Sequence, residues 1–312
     1  MGGSCYDRDV ISTSSNRAFS DISDTVISRS GVDDDLLPKY PGARKCREID
    51  CFHKNPIVCI FDVTGSMGDW SKTIYDKLPL FFGEVEKQGY LTDPAISFAA
   101  VGDAYTDRAP IQVCNFSQSR ELDDYLSRVF LEAGGGGQNM ESYELMAYYY
   151  LHHCILSKPE LSFLFITGDE GFYPHIEPSQ VKNLFGDSIE KLESRKVFEQ
   201  LRNKFNVFLI HKRYEYDGME GKILKQWKDV LGERILMLND PKAIIDVMLG
   251  AVALTSGSRS LDTYLKDMKD RGQSTRRLKD VENSLSQYHE SLALVKVTVK
   301  GRLPVPVKKD KK

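Results

Sequence analysis

The sequence predicts an α/β fold: an open, mainly parallel sheet with helices on both faces, in a three-layer, doubly wound arrangement. From about residue 55 to 257, short apolar runs that suit buried strands alternate with longer segments of helical periodicity. Helices between successive strands indicate parallel pairing, because each helical crossover returns the chain to the same end of the sheet.

Six apolar runs are the predicted strands: residues 57–61, 96–101, 111–114, 161–166, 207–210 and 235–238. Between them, apolar residues recur every three or four positions, as in helices that cover a sheet. Pro79 should kink the first helix. Residues 140–156 are apolar on almost every side, so a deeply buried helix is expected there.

The ends of the chain differ from this central domain, residues 55–257. Residues 1–54 are rich in Ser, Asp and Arg without an apolar period, and we predict a mostly flexible arm. Residues 258–312 form a predicted helical extension whose heptad-like stripe should pack on its own domain rather than on a partner helix. Residues 295–300 alternate like an exposed strand, and a basic tail follows.

Composition excludes several classes of function. The 312 residues carry a formal net charge of -3, which offers no electrostatic case for binding nucleic acid or an anionic membrane. No apolar stretch is long enough to span a bilayer, and the first residues lack the apolar core of a secretion signal. We therefore expect a cytoplasmic protein without nucleic-acid or membrane partners.

The cysteines do not form a disulfide or zinc pattern. Cys59, Cys114 and Cys154 lie within apolar runs and are expected to be small core residues. Cys46 and Cys51 stand near a histidine, but their spacing matches no zinc signature and a fourth ligand is missing.

Three polar loops follow buried segments and are expected to meet at the carboxyl end of the sheet, where ligands bind in folds of this class. The first is residues 62–68, directly after the first strand. The second joins a tract of four glycines, 134–137, to residues 138–142. The third is residues 167–171, directly after the strand at 161–166.

Asp62, Thr64 and Ser66 occupy alternate positions of the first loop, so in an extended turn their oxygens face the same side. Carboxylate and hydroxyl oxygens without His or Cys suit a hard cation, Mg²⁺ before Ca²⁺. The alternative is that Asp62 and Thr64 only cap the following helix. An unpaired carboxylate directly after a buried strand would be costly, which favours the metal.

The segment Asp62-Val63-Thr64-Gly65-Ser66 resembles the Asp-x-Ser/Thr-x-Ser signature of the metal-ion-dependent adhesion site in von Willebrand factor type A (VWA) domains. It also stands in the family's place for that signature, after the first strand. Asp169 matches the acidic residue that the family has after its fourth strand. The resemblance implies the Rossmann-like VWA fold for residues 55–257, with residues 111–114 as one antiparallel edge strand.

The resemblance also implies the ligands. The hydroxyls of Thr64 and Ser66 would bind Mg²⁺, with Mn²⁺ and Ca²⁺ as alternative ions, and Asp62 and Asp169 would bind it directly or through water. The family's middle loop usually presents a Thr, which the glycine tract here does not supply. The candidates left in that loop are Gln138 and Glu141.

Two further groups were weighed as site residues. Asp103 and Asp107 follow the second strand, either as groups supporting the site or as part of an Asp-rich solvated turn. His152 and His153 lie on the predicted buried helix without a third ligand in sight, and a structural role is expected.

The implied function is protein binding rather than catalysis. With few charged ligands, Mg²⁺ would stay partly hydrated and could accept a carboxylate from a protein partner. The whole chain also resembles stand-alone VWA proteins of bacteria and their phages, many of which work beside AAA+ ATPases or other multicomponent machinery. A protein with an acidic residue, from such an assembly or elsewhere, is the expected partner.

Two other functions stay open. Residues 62–66 and 167–171 are also similar to loops of haloacid-dehalogenase-type phosphohydrolases, in which Asp62 would be the nucleophile and Asp169 would bind Mg²⁺. Against this, Val63 replaces a lysine of that motif, Thr64 stands at the acid/base position, and no cap domain is evident. The altered middle loop favours a third hypothesis, a structural or assembly subunit that has lost metal dependence.

Overall fold

The computed structural model describes residues 31–118, 121–131, 139–215 and 218–300, with backbone alone for residues 295–300. The strands are β1 (Ile49–Cys51), β2 (Asn55–Asp62), β3 (Pro94–Val101), β4 (Ile111–Val113), β5 (Met140–Glu141), β6 (Cys154–Leu156), β7 (Phe163–Gly168), β8 (Gly171–Phe172), β9 (His175–Ile176), β10 (Leu192–Glu193), β11 (Asn206–Lys212) and β12 (Ile235–Leu238). The α-helices are α1 (Asp69–Gln88), α2 (Glu121–Arg128), α3 (Tyr143–His152), α4 (Pro178–Leu184), α5 (Ser194–Lys204), α6 (Glu220–Leu231), α7 (Ile244–Ser256), α8 (Leu261–Asp270) and α9 (Thr275–Lys300).

The main sheet has the strand order β12–β11–β7–β2–β3–β4. Its neighbours are parallel except β3 and β4, which pair antiparallel at one edge. The predicted fold class is confirmed, and the antiparallel edge strand predicted at residues 111–114 is β4, Ile111–Val113. The chain adds β3 and β4 on one side of β2, and it then adds β7, β11 and β12 on the other side. The strand order therefore reverses at β2. This reversal leaves a crevice at the carboxyl ends of β2 and β7.

Two hydrophobic layers cover the sheet, as predicted. On β2, Cys59 and Phe61 face the layer that contains α1, α2, α7, α8 and α9. Val58 and Ile60 face the opposite layer, which contains α3, α4, α5 and α6. Successive residues of one strand thus enter opposite cores, which explains why the predicted strands are continuous apolar runs.

The predicted helix over residues 140–156 is shorter in the structure. Met140 and Glu141 form β5, which pairs with β8, and α3 covers only Tyr143–His152. Residues 154–156 form β6, which pairs in parallel with β1. Helical periodicity did not reveal these short strands, because strand pairing supplied by distant segments overrides the local pattern.

The predicted arm, residues 1–54, is described only from residue 31 onward, and the described part contacts the central domain. Leu36 is buried, β1 pairs with β6, and Arg128 on α2 bridges Asp33 and Asp35 at 2.8 and 2.7 Å. Residues 33–51 are therefore part of the folded unit, because this stretch buries apolar side chains and pairs its charges.

The C-terminal extension packs on its own domain, as predicted. Val281, Leu285 and Tyr288 on α9 are buried in the same layer as α1 and α7. The predicted exposed strand at 295–300 is wrong, since the backbone there continues α9 as far as Lys300. The basic tail at 301–312 lies outside the described residues. Within the described part of the chain, no helix is long and apolar enough to cross a membrane.

An ion pair fixes the extension to α7. Asp246 is fully buried, and Arg277 donates to its Oδ2 at 3.1 Å and to the backbone oxygen of Lys242. Burial raises the pKa of Asp246 to about 6, although Arg277 favours the charged carboxylate. Removing the arginine would leave a charge without compensation in the interior.

We predict that Arg277→Ala lowers the free energy of unfolding by about 3 kcal/mol, because it leaves the buried Asp246 carboxylate without its ion-pair partner. Arg276→Ala is the matched control. This neighbouring arginine is 86% exposed, and its ion pair with Asp280 is long, at 4.0 Å, so its loss should cost less than about 0.5 kcal/mol. Urea denaturation at pH 7.5 measures both changes. Equal effects of the two substitutions would contradict the prediction, and adding Asp246→Asn to Arg277→Ala should recover part of the loss.

Candidate metal centre

The candidate site lies in the crevice where the strand order reverses. Asp62 is the last residue of β2, and Asp169 directly follows β7. These two strands are parallel neighbours, so both carboxylates emerge at the same edge of the sheet. Thr64 and Ser66 belong to the short turn between β2 and α1.

The first loop is organised around Asp62. Its Oδ1 accepts hydrogen bonds from the backbone N–H of Thr64 at 2.8 Å and from the Thr64 hydroxyl at 2.5 Å. Its Oδ2 accepts a hydrogen bond from the hydroxyl of Tyr143 at 2.5 Å. Asp62 has no exposed surface, so these donors take the place of water around its charge.

Ser66 connects the first loop to the third. Its hydroxyl lies 3.1 Å from that of Thr64 and donates to Asp169 Oδ1 at 2.9 Å. Asp169 Oδ2 accepts a hydrogen bond from Lys212 Nζ at 2.6 Å, and the same ammonium donates to the backbone oxygen of Ser66 at 2.8 Å. The four predicted ligands Asp62, Thr64, Ser66 and Asp169 thus form one continuous chain of contacts.

More carboxyl groups surround these four residues. Burial first, and then the charge of Asp169, raise the pKa of Asp62 to about 7. Burial and the charge of Asp62 raise the pKa of Glu170 to about 8. Burial, followed by the charges of Asp62 and Glu170, raises the pKa of Glu141 to about 11. Each of these carboxyls disfavours ionisation of the others, so they form one cluster in which the raised pKa values favour the protonated forms when no cation is near.

Glu141 is the least compensated member of the group. It is 2% exposed, and its Oε2 is buried without a hydrogen-bond partner among the described residues. Gln138, the other middle-loop candidate, lies outside the described residues. The structure therefore brings Glu141 into the electrostatic field of Asp62, and it adds no information on Gln138.

Asp103 and Asp107 combine the two roles that the sequence left open. Asp103 is fully buried, accepts hydrogen bonds from the backbone of Tyr105 and the hydroxyl of Tyr173, and contributes to the raised pKa of Glu141. Asp107 accepts a hydrogen bond from the backbone N–H of Asp103 at 2.7 Å. They form a hydrogen-bonded turn that also adds negative charge to the site.

The other sequence candidates lie elsewhere. His153 Nε2 lies 2.7 Å from a carboxylate oxygen of Asp187, which agrees with a structural role. Cys59, Cys114 and Cys154 are buried free thiols, as expected for core residues.

Tyr143 is a site residue that sequence reasoning missed, because its place in an apolar helix suggested a core role only. A Cβ at Gly168 would collide with its hydroxyl, so the end of β7 needs glycine there to let Tyr143 reach Asp62. The Tyr143 ring lies 5.4 Å from that of Trp227, whose indole N–H donates to the backbone oxygen of Glu170 at 2.8 Å. Aromatic packing thus fixes the loops that carry the carboxylates.

Lys212 and Glu170 were also missed as site residues. Lys212 ends β11, and a lysine at a strand end is usually solvated, so its sequence position alone carried little signal. Glu170 stands inside the third loop, where its neighbour Asp169 matched the expected ligand. The usable signal for both was position at the carboxyl end of a central strand.

The donor set suits a hard cation held partly by hydroxyls. Across the residues that the structure describes, no group of three or more His, Cys, Asp or Glu side chains is arranged to hold a metal ion. A metal here would therefore depend on Thr64 and Ser66 together with the carboxylates and water. The unpartnered Glu141 Oε2 and the raised pKa values of neighbouring carboxyls indicate that these groups resist ionisation without a cation, and a bound ion would favour their charged forms.

Comparison with known proteins gives fold-level similarities. No protein-family model matches the chain, and no curated protein matches it. The pilus adhesin SpaC from Lactobacillus rhamnosus GG, in its open conformation, has a TM-score of 0.47 at 10% identity, covering 68% of this chain and 31% of that one. A second structure of this adhesin gives a TM-score of 0.46 at 9% identity, with coverage of 68% and 32%.

Proximal thread matrix protein 1 from the mussel byssus has a TM-score of 0.42 at 10% identity, covering 65% of this chain and 48% of that one. The chain thus spans about a third of the length of SpaC and about half that of the mussel protein. Similarity at this level says nothing about ligands or partners.

We predict that the protein without metal becomes less stable as pH rises from 5 to 8. In the unfolded chain, the carboxyls of Asp62 and Glu170 have pKa values of about 4. In the folded chain, burial and mutual repulsion raise these pKa values to about 7 and about 8. The folded state therefore holds extra protons, and their stabilising effect is lost as pH rises through that window. Thermal unfolding in a chelating buffer measures the trend.

Glu141→Gln is the control for this pH dependence, because it removes one carboxyl with a raised pKa and keeps the shape of the side chain. The variant should show a shallower decline of unfolding temperature than the native protein. A metal-free protein whose unfolding temperature rises from pH 5 to 8 would contradict the assignment of these carboxyls.

Proposed function

We propose that this chain is a VWA-like, metal-dependent protein-binding module, in which Mg²⁺ at the candidate centre completes its coordination with a carboxylate from a partner protein. Asp62, Thr64, Ser66 and Asp169 would hold the ion directly or through water, and Glu141 is a further candidate ligand from the middle loop. The observation that carries the proposal is the contact chain through these four residues at the carboxyl ends of β2 and β7.

The exposure of the site supports binding from one direction. Asp62, Thr64 and Asp169 are buried, whereas Ser66 is half-buried and its neighbour Gly65 is exposed. An ion that uses the Ser66 hydroxyl would therefore be reached from the solvent side of this turn. Few charged ligands and an open side would leave the ion able to accept an external carboxylate.

The state of Asp62 favours binding over phosphoryl transfer. A nucleophilic carboxylate must be open to attack a substrate phosphoryl group, whereas a metal ligand can share its oxygens with hydrogen-bond donors. Asp62 is fully buried, and both of its oxygens accept hydrogen bonds from Thr64 and Tyr143. The phosphohydrolase hypothesis therefore ranks second, and Mg²⁺-dependent hydrolysis of an aromatic phosphate, abolished by Asp62→Asn, would establish it instead.

Metal binding is the first test of the proposal. Titration calorimetry with Mg²⁺ and Mn²⁺ should show binding by the native chain, and an ion at a hundred times its dissociation constant should raise the free energy of unfolding by about 2.7 kcal/mol. Asp62→Asn combined with Ser66→Ala should abolish both effects. The matched control is Asp262→Asn with Ser286→Ala, on α8 and α9, which should leave metal binding unchanged.

Partner capture is the second test, because metal binding alone does not establish protein binding. Affinity capture with the native chain, with and without chelator, should yield a protein that is retained only with metal and lost with the double variant. Capture that persists in chelator would contradict the proposal. If metal addition produced neither a heat of binding nor thermal stabilisation, the result would instead favour a structural or assembly subunit without metal dependence.

A further inference from the structure

Lys212 brings a positive charge into the candidate metal centre. Its ammonium donates to Asp169 Oδ2 at 2.6 Å and to the backbone oxygen of Ser66 at 2.8 Å. The Lys212 side chain is 14% exposed and that of Asp169 is 1% exposed. Because little water surrounds this ion pair, its charges are screened far less than those of a surface pair.

Both oxygens of Asp169 already accept a hydrogen bond. Its Oδ1 accepts the hydroxyl hydrogen of Ser66, and its Oδ2 accepts the ammonium of Lys212. Each oxygen keeps a second lone pair, so an ion could share one of them, but it would then lie beside the Lys212 ammonium or the Ser66 hydroxyl. The Ser66 hydroxyl keeps oxygen lone pairs free while it donates, so it remains able to bind an ion.

The same lysine also opposes any ion held by Ser66. Since Lys212 contacts Ser66 itself, a divalent cation on the Ser66 hydroxyl would have the ammonium as a close neighbour of like charge. Repulsion between such neighbours weakens binding more strongly in a partly buried site than in water. The carboxylates around Asp62 attract the ion, and Lys212 acts against them.

We propose that Lys212 is a built-in competitor of the divalent cation, which pairs with the Asp169 carboxylate and lowers the affinity of the site for metal. The inference rests on the proposed function, because it concerns how tightly that site holds its ion. A lysine that only neutralised buried Asp169 would stabilise the fold without changing metal affinity, so the two roles make different predictions.

The test is a titration with Mn²⁺ at pH 7.5, in which binding is measured by calorimetry and by the electron spin resonance signal of free Mn²⁺. Lys212→Met removes the charge and keeps the apolar stem, and it should bind Mn²⁺ about tenfold more tightly or better. Lys212→Arg keeps the charge and should stay within about threefold of the native affinity. Lys225→Met, on the exposed side of α6, is the matched control and should bind as the native chain does.

Thermal unfolding provides a second readout. In chelator, Lys212→Met should unfold at a lower temperature than the native chain, because it leaves Asp169 buried without its partner. Saturating Mn²⁺ should restore more stability to this variant than to the native chain. If Lys212→Met does not fold, Lys212→Gln, which also removes the charge but keeps an N–H donor, decides the affinity comparison.

Each outcome separates this inference from the proposed function. Equal Mn²⁺ affinity in the native chain and the uncharged variants overturns the role of Lys212 and leaves the metal site standing. Binding by the uncharged variants alone supports the competitor role and removes metal dependence from the native protein. Absence of Mn²⁺ binding in every chain overturns both.

Discussion

The burial of several carboxyl groups at the carboxyl end of β2 is the constraint around which the rest of the site is organised. Asp62 lies at the end of a strand that is buried along its whole length, with Asp169 and Glu141 close enough to raise carboxyl pKa values. Carboxylates without water must be protonated, hydrogen-bonded or paired with a cation. Thr64 and Tyr143 supply hydrogen bonds to Asp62, and the electrostatics of the whole group favour a cation.

The topology explains why these charges meet. In a doubly wound sheet, the strands on either side of the reversal send their loops in opposite directions, which opens a space above their ends. Here that space lies above β2 and β7, and α3 closes one side by delivering Tyr143. The helices of the C-terminal extension strengthen the fold from the layer that holds α1 and α7.

The sequence was sufficient where one short segment carries the whole signal. The alternation of apolar runs predicted the sheet, and the spacing of Asp62, Thr64 and Ser66 predicted that their oxygens would share a site. It was insufficient where a role depends on a distant partner. Lys212 lies 43 positions beyond Asp169, and only the pairing of β11 with β7 brings the two together.

The remaining differences have the same physical origin. Residues 154–156 and 49–51 become strands because they pair with each other, and neither segment shows that partner in its own pattern. At residues 295–300 the alternation suggested a strand, but the helix of the preceding heptad-like stripe continues through them. A two-residue period indicates a strand only where a neighbouring strand exists to pair with it.

The position of Trp227 has a practical consequence. Its indole contacts the ring of Tyr143 and is hydrogen-bonded to the backbone of the loop that carries Asp169 and Glu170. The emission of a tryptophan responds to nearby charge and to the polarity around its ring. Since the chain has only one other tryptophan, Trp70, replacing that residue with phenylalanine would leave a single tryptophan, which packs against the site through Tyr143. The molecule thus carries its own optical reporter for whatever occupies this end of the sheet.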